Sequence, residues 1–462
     1  MKFAGQTSDE WSADADARPT IRLTWLAAAF GCAATALAAA IGADARWLAA
    51  IGALILRAGA LPHSIPYAAA PSEWRDAPAL GQLVFHGLES LLGDKGLVLA
   101  QTLAVAIALA ALALDLQRAQ ARDGIGATVL IAIVVAAPAT FLVVRAQLFS
   151  LALFPVLVLL LRSEAQRPSR RIWLAVPLLA LWANLHGGVL VGFGVAVAYL
   201  ALRRARHSPI AASLLFAACA AALFATPALL GTAHYYAGVL GGVAASARYG
   251  LWAPLSLSEP LDLIFIAVAL PLLAGAVRRR PLAWEVALLA ALVLMSVEAR
   301  RNGIWFLMFA ATPAACGLRR TAATRPLLSR RLALVCACVP ALMLGLGLAK
   351  QPNDSGPSDR ILSRAVALAD RTPILAEPLA AEQLALDGRR IWIGNPLEAF
   401  APSDQRLYLD WLQGKPAGDA ILREPINVVL VRTGSPAQHR IVSAPAFREL
   451  ARDANGVLYV RR

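Results

Sequence analysis

Charge is scarce in this chain. Asp and Glu number 29 against 43 Lys and Arg in 462 residues, and the four types together make up only 16%. A soluble domain carries about 25% charged and about 45–50% apolar residues, whereas this chain is 59% hydrophobic, which excludes an ordinary soluble protein. Cysteine is thin as well. The five cysteines, Cys32, Cys219, Cys316, Cys336 and Cys338, lie in apolar runs with no CxxC pair. That excludes a disulfide framework and a cysteine zinc site, and they read as small buried hydrophobes. The polar tail lacks a P-loop and a GxGxxG loop, and no clear internal repeat is present. A net charge of +14 would suggest a nucleic-acid partner in a soluble protein. Here the arginines gather in short loops between apolar runs, so the excess is topological and nucleic acid is not an expected partner.

What is there is a series of apolar runs. A hydrocarbon core of about 30 Å takes ~20 apolar residues per helix. Runs lie near 24–43, 96–114, 125–144, 147–161, 172–185, 188–202, 209–230, 261–277, 282–298, 303–318 and 332–349. The first follows Arg18 and Arg22, and the many later spans make it a retained anchor rather than a cleaved signal. With the start inside, every larger basic cluster falls inside: Arg118 and Arg122; Arg162, Arg167, Arg170 and Arg171; Arg203, Arg204 and Arg206; Arg278 to Arg280; and Arg319, Arg320, Arg325, Arg330 and Arg331. The expected fold class is an all-α polytopic membrane protein of about eleven transmembrane helices. Residues 1–23 form a cytoplasmic tail and 24–349 the membrane domain. Residues 350–462 form a small extracytoplasmic α/β domain, so the C-terminus lies outside the cytoplasmic (inner) membrane. In that tail "ILSRAVALAD" and "AAEQLAL" read as helices, and "PILAEP", "RIWIG" and "NVVLVR" as strands. A final hairpin turns at Asn455-Gly456.

Two regions interrupt the pattern. Residues 44–95 mix charge, proline and amphipathic pieces and form a long first outer loop, with interfacial helices near 46–57 and 78–92. The stretch "LWANLHGGVLVGF", Leu181 to Phe193, puts Asn184 and His186 inside an apolar run. Arg171 and Arg203, both expected inside, bracket only 31 residues, too few for two full crossings of ~20 residues each. Either two short helices meet at "NLHGG" or the segment dips in and returns, and a break of that kind is tolerated where it lines a cavity or contacts protein.

The same map puts Asp44, Arg145, Gln147, Asn184, His186, His234, Tyr235, Tyr236, Glu259, Asp262, Glu298, Arg300, Arg301 and Asn302 near the outer ends of spans. Ionisable groups at membrane depth are functional candidates, and their common level suggests an outward-facing polar cavity. Glycosyl transfer from a lipid-linked sugar phosphate uses such a set. A carboxylate takes the proton of the attacking hydroxyl, and cations stabilise the departing phosphate. Asp44 has the residue type and depth for the catalytic base. Arg145, Asn184, His186, Arg300 and Arg301 are the candidates for binding the donor phosphate. No metal signature and no cofactor is apparent, and a divalent cation stays open.

The chain resembles the bacterial multi-span glycosyltransferases of the GT-C superfamily, related to protein mannosyltransferases and lipid-A sugar transferases. The resemblance rests on "DARWLAAIGALILRAGALPHSIPY", "RAQLFSLALFPVLVLLL", "LWANLHGGVLVGF" and "EARRNGIWFLMF", with "RRIWIGNPLEAF" similar to the family's terminal domain. It implies a polyprenyl-phosphate sugar and membrane lipid as partners, and a lipid, glycan or protein acceptor. It implies that Asp44 is the acid at the reaction centre and that Arg145 and His186 line the outer cavity. The chain departs from the family pattern at Leu48, Ile65 and Pro78, with Asp76 nearby. Two alternatives stand beside the transferase: a lipid or glycan transporter or flippase, which broken helices and midplane polar groups suit, and a catalytically inactive scaffold of the same fold, which the altered first loop suits.

Overall fold

The computed structural model describes residues 22–42, 44–318 and 330–462, with the backbone alone for 330–337. The expectations for residues 1–21, Arg319, Arg320 and Arg325, and for the side chains of Arg330, Arg331 and Cys336, lie outside the described residues.

Helices dominate, and they follow the apolar runs. They are α1 (Leu23–Ala38), α2 (Ala45–Ala58), α3 (Ala79–Leu92), α4 (Asp94–Arg118), α5 (Asp123–Ala136), α6 (Pro138–Leu142), α7 (Leu148–Gln166), α8 (Ala175–Leu185), α9 (Val189–Tyr199) and α10 (Pro209–Ala222). Then come α11 (Thr232–Gly241), α12 (Val243–Ser246), α13 (Pro260–Arg278), α14 (Ala283–Glu298), α15 (Gly303–Gly317), α16 (Arg330–Ala349), α17 (Asp359–Ala369), α18 (Pro378–Leu386), α19 (Pro402–Leu412) and α20 (Pro436–Val442). Each of the eleven apolar runs carries a helix. Three of these, α4, α7 and α13, are long and apolar enough to cross a membrane by length and composition. The chain is an integral membrane protein. In the bundle α1 packs on α4, α5 and α16, α4 on α7, and α13 on α15.

The segment "NLHGG" separates two short helices, one from each of the runs at 172–185 and 188–202. α8 and α9 have 11 residues each, about 16 Å at 1.5 Å per residue, and they pack on each other. The run expected at 209–230 also stops early, because α10 ends at Ala222 and the chain turns through Pro227.

A two-residue parallel bridge sets the geometry of the site. β1 (Ala40–Ile41) pairs with β2 (Val143–Val144), Ala40 opposite Val143 and Ile41 opposite Val144. The Gly42 amide then donates to the Val144 carbonyl at 3.2 Å. A Cβ on Gly42 would lie 2.3 Å from Val143 Cγ1 and 2.8 Å from the Val144 carbonyl oxygen, so only glycine permits this approach. On the other side of β1, the Ile41 amide donates to the Asn353 carbonyl at 3.1 Å.

The terminal region builds a four-stranded sheet in the order β3 (Ile374–Ala376), β4 (Val428–Arg432), β6 (Gly456–Arg461), β5 (Phe447–Arg452). β3 and β4 are parallel, with Ile374 opposite Val428, and the other pairs are antiparallel. The β3 and β4 residues from Ile374 to Ala376 and from Val428 to Val431 are all buried, as parallel strands covered on both faces require.

Several readings of the sequence change here. "RIWIG" is not a strand of its own. Ile391 makes single bridges to Ile374 on one side and Ala68 on the other, so the first long loop is stitched to the sheet edge. The last hairpin does not turn on an Asn-Gly pair with positive φ. Asp453 Oδ1 instead accepts from the amides of Asn455 (2.8 Å) and Gly456 (2.6 Å), an Asx-type turn. The first half of α2 is buried and packs against α18 rather than lying free at an interface. Its Arg46, 3% exposed, pairs with Asp94 at 2.8 Å and Asp354 at 2.6 Å.

Arg162 is likewise no loop cation. It is 4% exposed within α7. Its Nη1 meets Asp115 Oδ2 at 2.5 Å, its Nη2 donates to the Phe309 carbonyl at 2.6 Å, and its Nε is 3.5 Å from Glu285. Thr312 donates to the same Asp115 oxygen at 2.6 Å, and Arg279 approaches Glu285 at 3.7 Å. The acids on α4 and α14 make burial of the guanidinium tolerable. This network ties the ends of α4, α7 and α15 to the start of α14.

Candidate functional site

The site lies at the opposite ends of those helices, where three segments remote in sequence meet. Asp44 caps α2 with φ 91° and ψ −23°, a left-handed conformation that costs a non-glycine residue about 1–2 kcal/mol. Its backbone is held by Glu382, which accepts the Asp44 amide through Oε1 at 2.7 Å and Oε2 at 2.8 Å. Its carboxylate is held from two sides. Asn395 Nδ2 donates to Oδ1 at 3.1 Å and to Glu382 Oε1 at 2.7 Å. Arg145 Nη2 donates to Oδ2 at 3.3 Å. The Asp44 and Arg145 side chains remain 25% and 27% exposed, so both can be reached from outside the protein.

Beside this pair is a cavity of about 120 Å³. Arg145, Arg300, Arg301, Gln147 and Asp262 supply its polar wall, and leucines, Phe265 and Ile304 the rest. Arg300 Nη1 lies 3.8 Å from Asp262, and Arg300 Nε is buried with no hydrogen-bond partner among the described residues. The Arg301 guanidinium stacks on the Trp252 ring at 4.2 Å and makes no ion pair among the described residues. Burial, and then the neighbouring Arg145, lower its pKa to about 10, while Asp44 and Glu398 act the other way. The cavity lining itself carries three guanidiniums and one carboxylate, Asp262, which gives it an appetite for an anion. Its apolar wall suits an anion that carries hydrocarbon.

His186 stands just behind, within electrostatic reach of Arg145 and Arg301. Its ring is fixed by a chain of donors. Trp182 Nε1 donates to Ser150 Oγ at 2.7 Å, Ser150 Oγ lies 2.7 Å from His186 Nδ1, and the Gly188 amide donates to Nδ1 at 3.0 Å. Nδ1 is therefore the acceptor, which assigns the proton of the neutral ring to Nε2. A Cβ on Gly188 would sit 2.6 Å from Ser150 Oγ and 2.8 Å from Nδ1, so the second glycine of the motif makes room for this network.

The structure does not bring Asn184 to the cavity. Both amide protons are spent on backbone, Ala180 O at 2.8 Å and Ala225 O at 2.6 Å. Asn302 donates to Met295 O at 3.1 Å, and Tyr236 donates to Leu223 O at 3.3 Å. Glu298 is an exposed partner of Arg248 at 3.9 Å. Tyr235 is buried against Trp74, ring centroids 6.1 Å apart.

Sequence reasoning missed Glu382, Asn395 and Glu398, all from the terminal region. Burial, and then Asp44, push the Glu382 carboxyl well above the usual carboxylate range. Glu398 is raised to about 6, by burial first and then by Asp44. In the first loop burial raises Asp76 to about 7, against a hydrogen bond from Gln82 at 2.8 Å. The one signal available was "GNPLEAF", where Asn395 and Glu398 flank a proline in an otherwise apolar loop. Among the described residues no group of three His, Cys, Asp or Glu side chains is placed to hold a metal.

No protein-family model and no curated protein sequence matches the chain. Among solved structures, the mycobacterial arabinofuranosyltransferase AftD matches over 96% of this chain at 17% identity and a TM-score of 0.51. This chain spans 42% of the length of AftD. ArnT from Cupriavidus metallidurans, in a structure bound to undecaprenyl phosphate, matches over 95% of this chain and 97% of its own at 12% identity and a TM-score of 0.37. The likeness to AftD is one of fold.

Proposed function

We propose that this chain is a membrane glycosyltransferase. It moves a sugar from a polyprenyl-phosphate donor to a lipid, glycan or protein acceptor on the outer face of the cytoplasmic membrane. The observation that carries this reading is the Asp44–Arg145 pair at the rim of an apolar-walled cavity that also holds Arg300 and Arg301. A prenyl phosphate has the matching halves, an anionic head and a hydrocarbon tail. The terminal sheet then lies outside.

In the reaction Asp44 accepts the proton of the acceptor hydroxyl as that oxygen bonds to the anomeric carbon. The bond from that carbon to the donor phosphate oxygen breaks, and polyprenyl phosphate leaves with the electron pair. Arg301 and Arg300 take up its charge, and Arg145, drawn between Asp44 and the phosphate, links the two. His186 contributes through its Nε2 proton as a neutral donor.

A transporter needs a path that opens to either face in turn. The Asp115–Arg162–Glu285 network, with the Phe309 carbonyl, cross-links four helices at the far end of the bundle, and a far end held in this way favours the transferase.

The test is mass spectrometry of lipids that co-purify with the full chain. The expected result is a prenyl-phosphate sugar on the parent and on Asp44→Asn, lost from the Arg145→Ala/Arg301→Ala double variant. Absence of any prenyl phosphate from the parent and from Asp44→Asn, even after reconstitution with membrane lipid extract, overturns the reading.

A further inference from the structure

The geometry points to Asn395 and Glu382 as positioning residues that complete the Asp44 site from the terminal domain, so that the membrane bundle alone does not hold a competent base. The inference rests on the reading of Asp44 given above and adds the element that makes it work. Asp44, three residues beyond the β1 bridge, begins α2 in a left-handed conformation. Among the described residues no hydrogen bond from the membrane bundle holds the Asp44 amide. Both oxygens of Glu382 do so, across a sequence separation of 338 residues. Glu382 is 2% exposed, and α18, which carries it, packs on α2. The Asn395 amide nitrogen then bridges Glu382 Oε1 and Asp44 Oδ1. With Asn395 on Oδ1 and Arg145 on Oδ2, the carboxylate plane is fixed from two sides. Charged groups facing Asp44 from the elements around it are Arg145, Arg301, Glu382 and Glu398. Asn395 is the neutral donor among them, and it orients the carboxylate without adding a charge.

The loop bearing Asn395 is itself held by the first loop, where the Ala69 and Ala70 amides donate to the Ile391 and Trp392 carbonyls at 2.8 and 2.9 Å. The backbone that positions Asn395 is therefore a joint product of the two regions.

The experiment uses the full chain in detergent and farnesyl phosphate as a short prenyl-phosphate probe, with affinity measured at one neutral pH. Asp44 and the phosphate share Arg145, so Asp44→Ala frees that guanidinium and is expected to bind the probe more tightly. Asn395→Ala releases the Asp44 carboxylate towards Arg145 and is expected to weaken probe binding about threefold, and because Asn395 acts through Asp44 the same substitution is expected to change little in an Asp44→Ala background. Glu382→Gln keeps an acceptor for the Asp44 amide and is expected to stay within about threefold of the parent affinity, while Glu382→Ala loses about tenfold. A parent-like affinity in a folded Asn395→Ala protein, an equal effect of Asn395→Ala in both backgrounds, or Glu382→Gln as damaging as Glu382→Ala, overturns the positioning role and leaves Asp44 itself standing. An Asp44→Ala protein that binds the probe as the parent does shows instead that the underlying reading of Asp44 has failed.

Discussion

Asp44 Oδ2 and Arg145 Nη2 stand 3.3 Å apart across 101 residues of sequence because β1 and β2 pair just before each of them. Two backbone residues per strand are enough to set that register, since Ile41 opposite Val144 puts Arg145 one residue, and Asp44 three residues, beyond the bridge. The chemistry proposed here depends on that short contact.

Gly42→Ala puts a methyl against Val143 and the Val144 carbonyl. Overpacking of this kind costs about 1–3 kcal/mol. The thermal midpoint in detergent is expected to fall, and prenyl-phosphate binding to weaken with it. A parent-like midpoint and affinity would mean that the bridge does not govern the site.

Arg162 is the hub of the charged network at the far end of the bundle. Arg162→Leu leaves Asp115 buried without its cation and Glu285 with Arg279 alone at 3.7 Å, and breaking a buried pair from one side costs about 3–5 kcal/mol. The combination Arg162→Leu/Asp115→Leu/Glu285→Leu removes the buried charges, leaves only the part-exposed Arg279, and is expected to recover much of that loss in the thermal midpoint. Failure of the triple variant to recover would show that the network's role goes beyond charge compensation.

The fold was largely legible because membrane helices announce themselves by apolar length, and every run expected from the sequence became a helix. The site was legible only in part. Arg145, Arg300 and Arg301 sit beside short apolar helix ends, so depth alone placed them together. Asn184 looked equivalent by the same criterion, yet its amide is used up on the carbonyls of Ala180 and Ala225. Arg162 looked like a loop cation because Asp115 and Glu285 lie 47 and 123 residues away in sequence. Glu382 and Asn395 were invisible for the same reason, since hydrophobic periodicity says nothing of which loop reaches back across a bundle.

Asp76 gives a pH dependence with a definite sign. Its carboxyl is raised from the ordinary Asp value of 3.8 to about 7 by burial, so the folded state binds the proton more tightly than the unfolded chain does. The stabilisation is fully present below about pH 4 and is lost as the pH rises through about 7. Asp76→Asn, which mimics the protonated form, is expected to be as stable as the parent at pH 5 and more stable at pH 8. Thermal midpoints at the two pH values check this, and a variant less stable at pH 8 would contradict it.

The most direct measurement of the central claim is a cryo-EM structure of the full chain with undecaprenyl phosphate. The account predicts phosphate density about 3 Å from the guanidiniums of Arg145 and Arg301, with the prenyl chain along the wall formed by Phe265 and Ile304. Phosphate density at another place on the protein, with Arg145 and Arg301 unchanged, would contradict it.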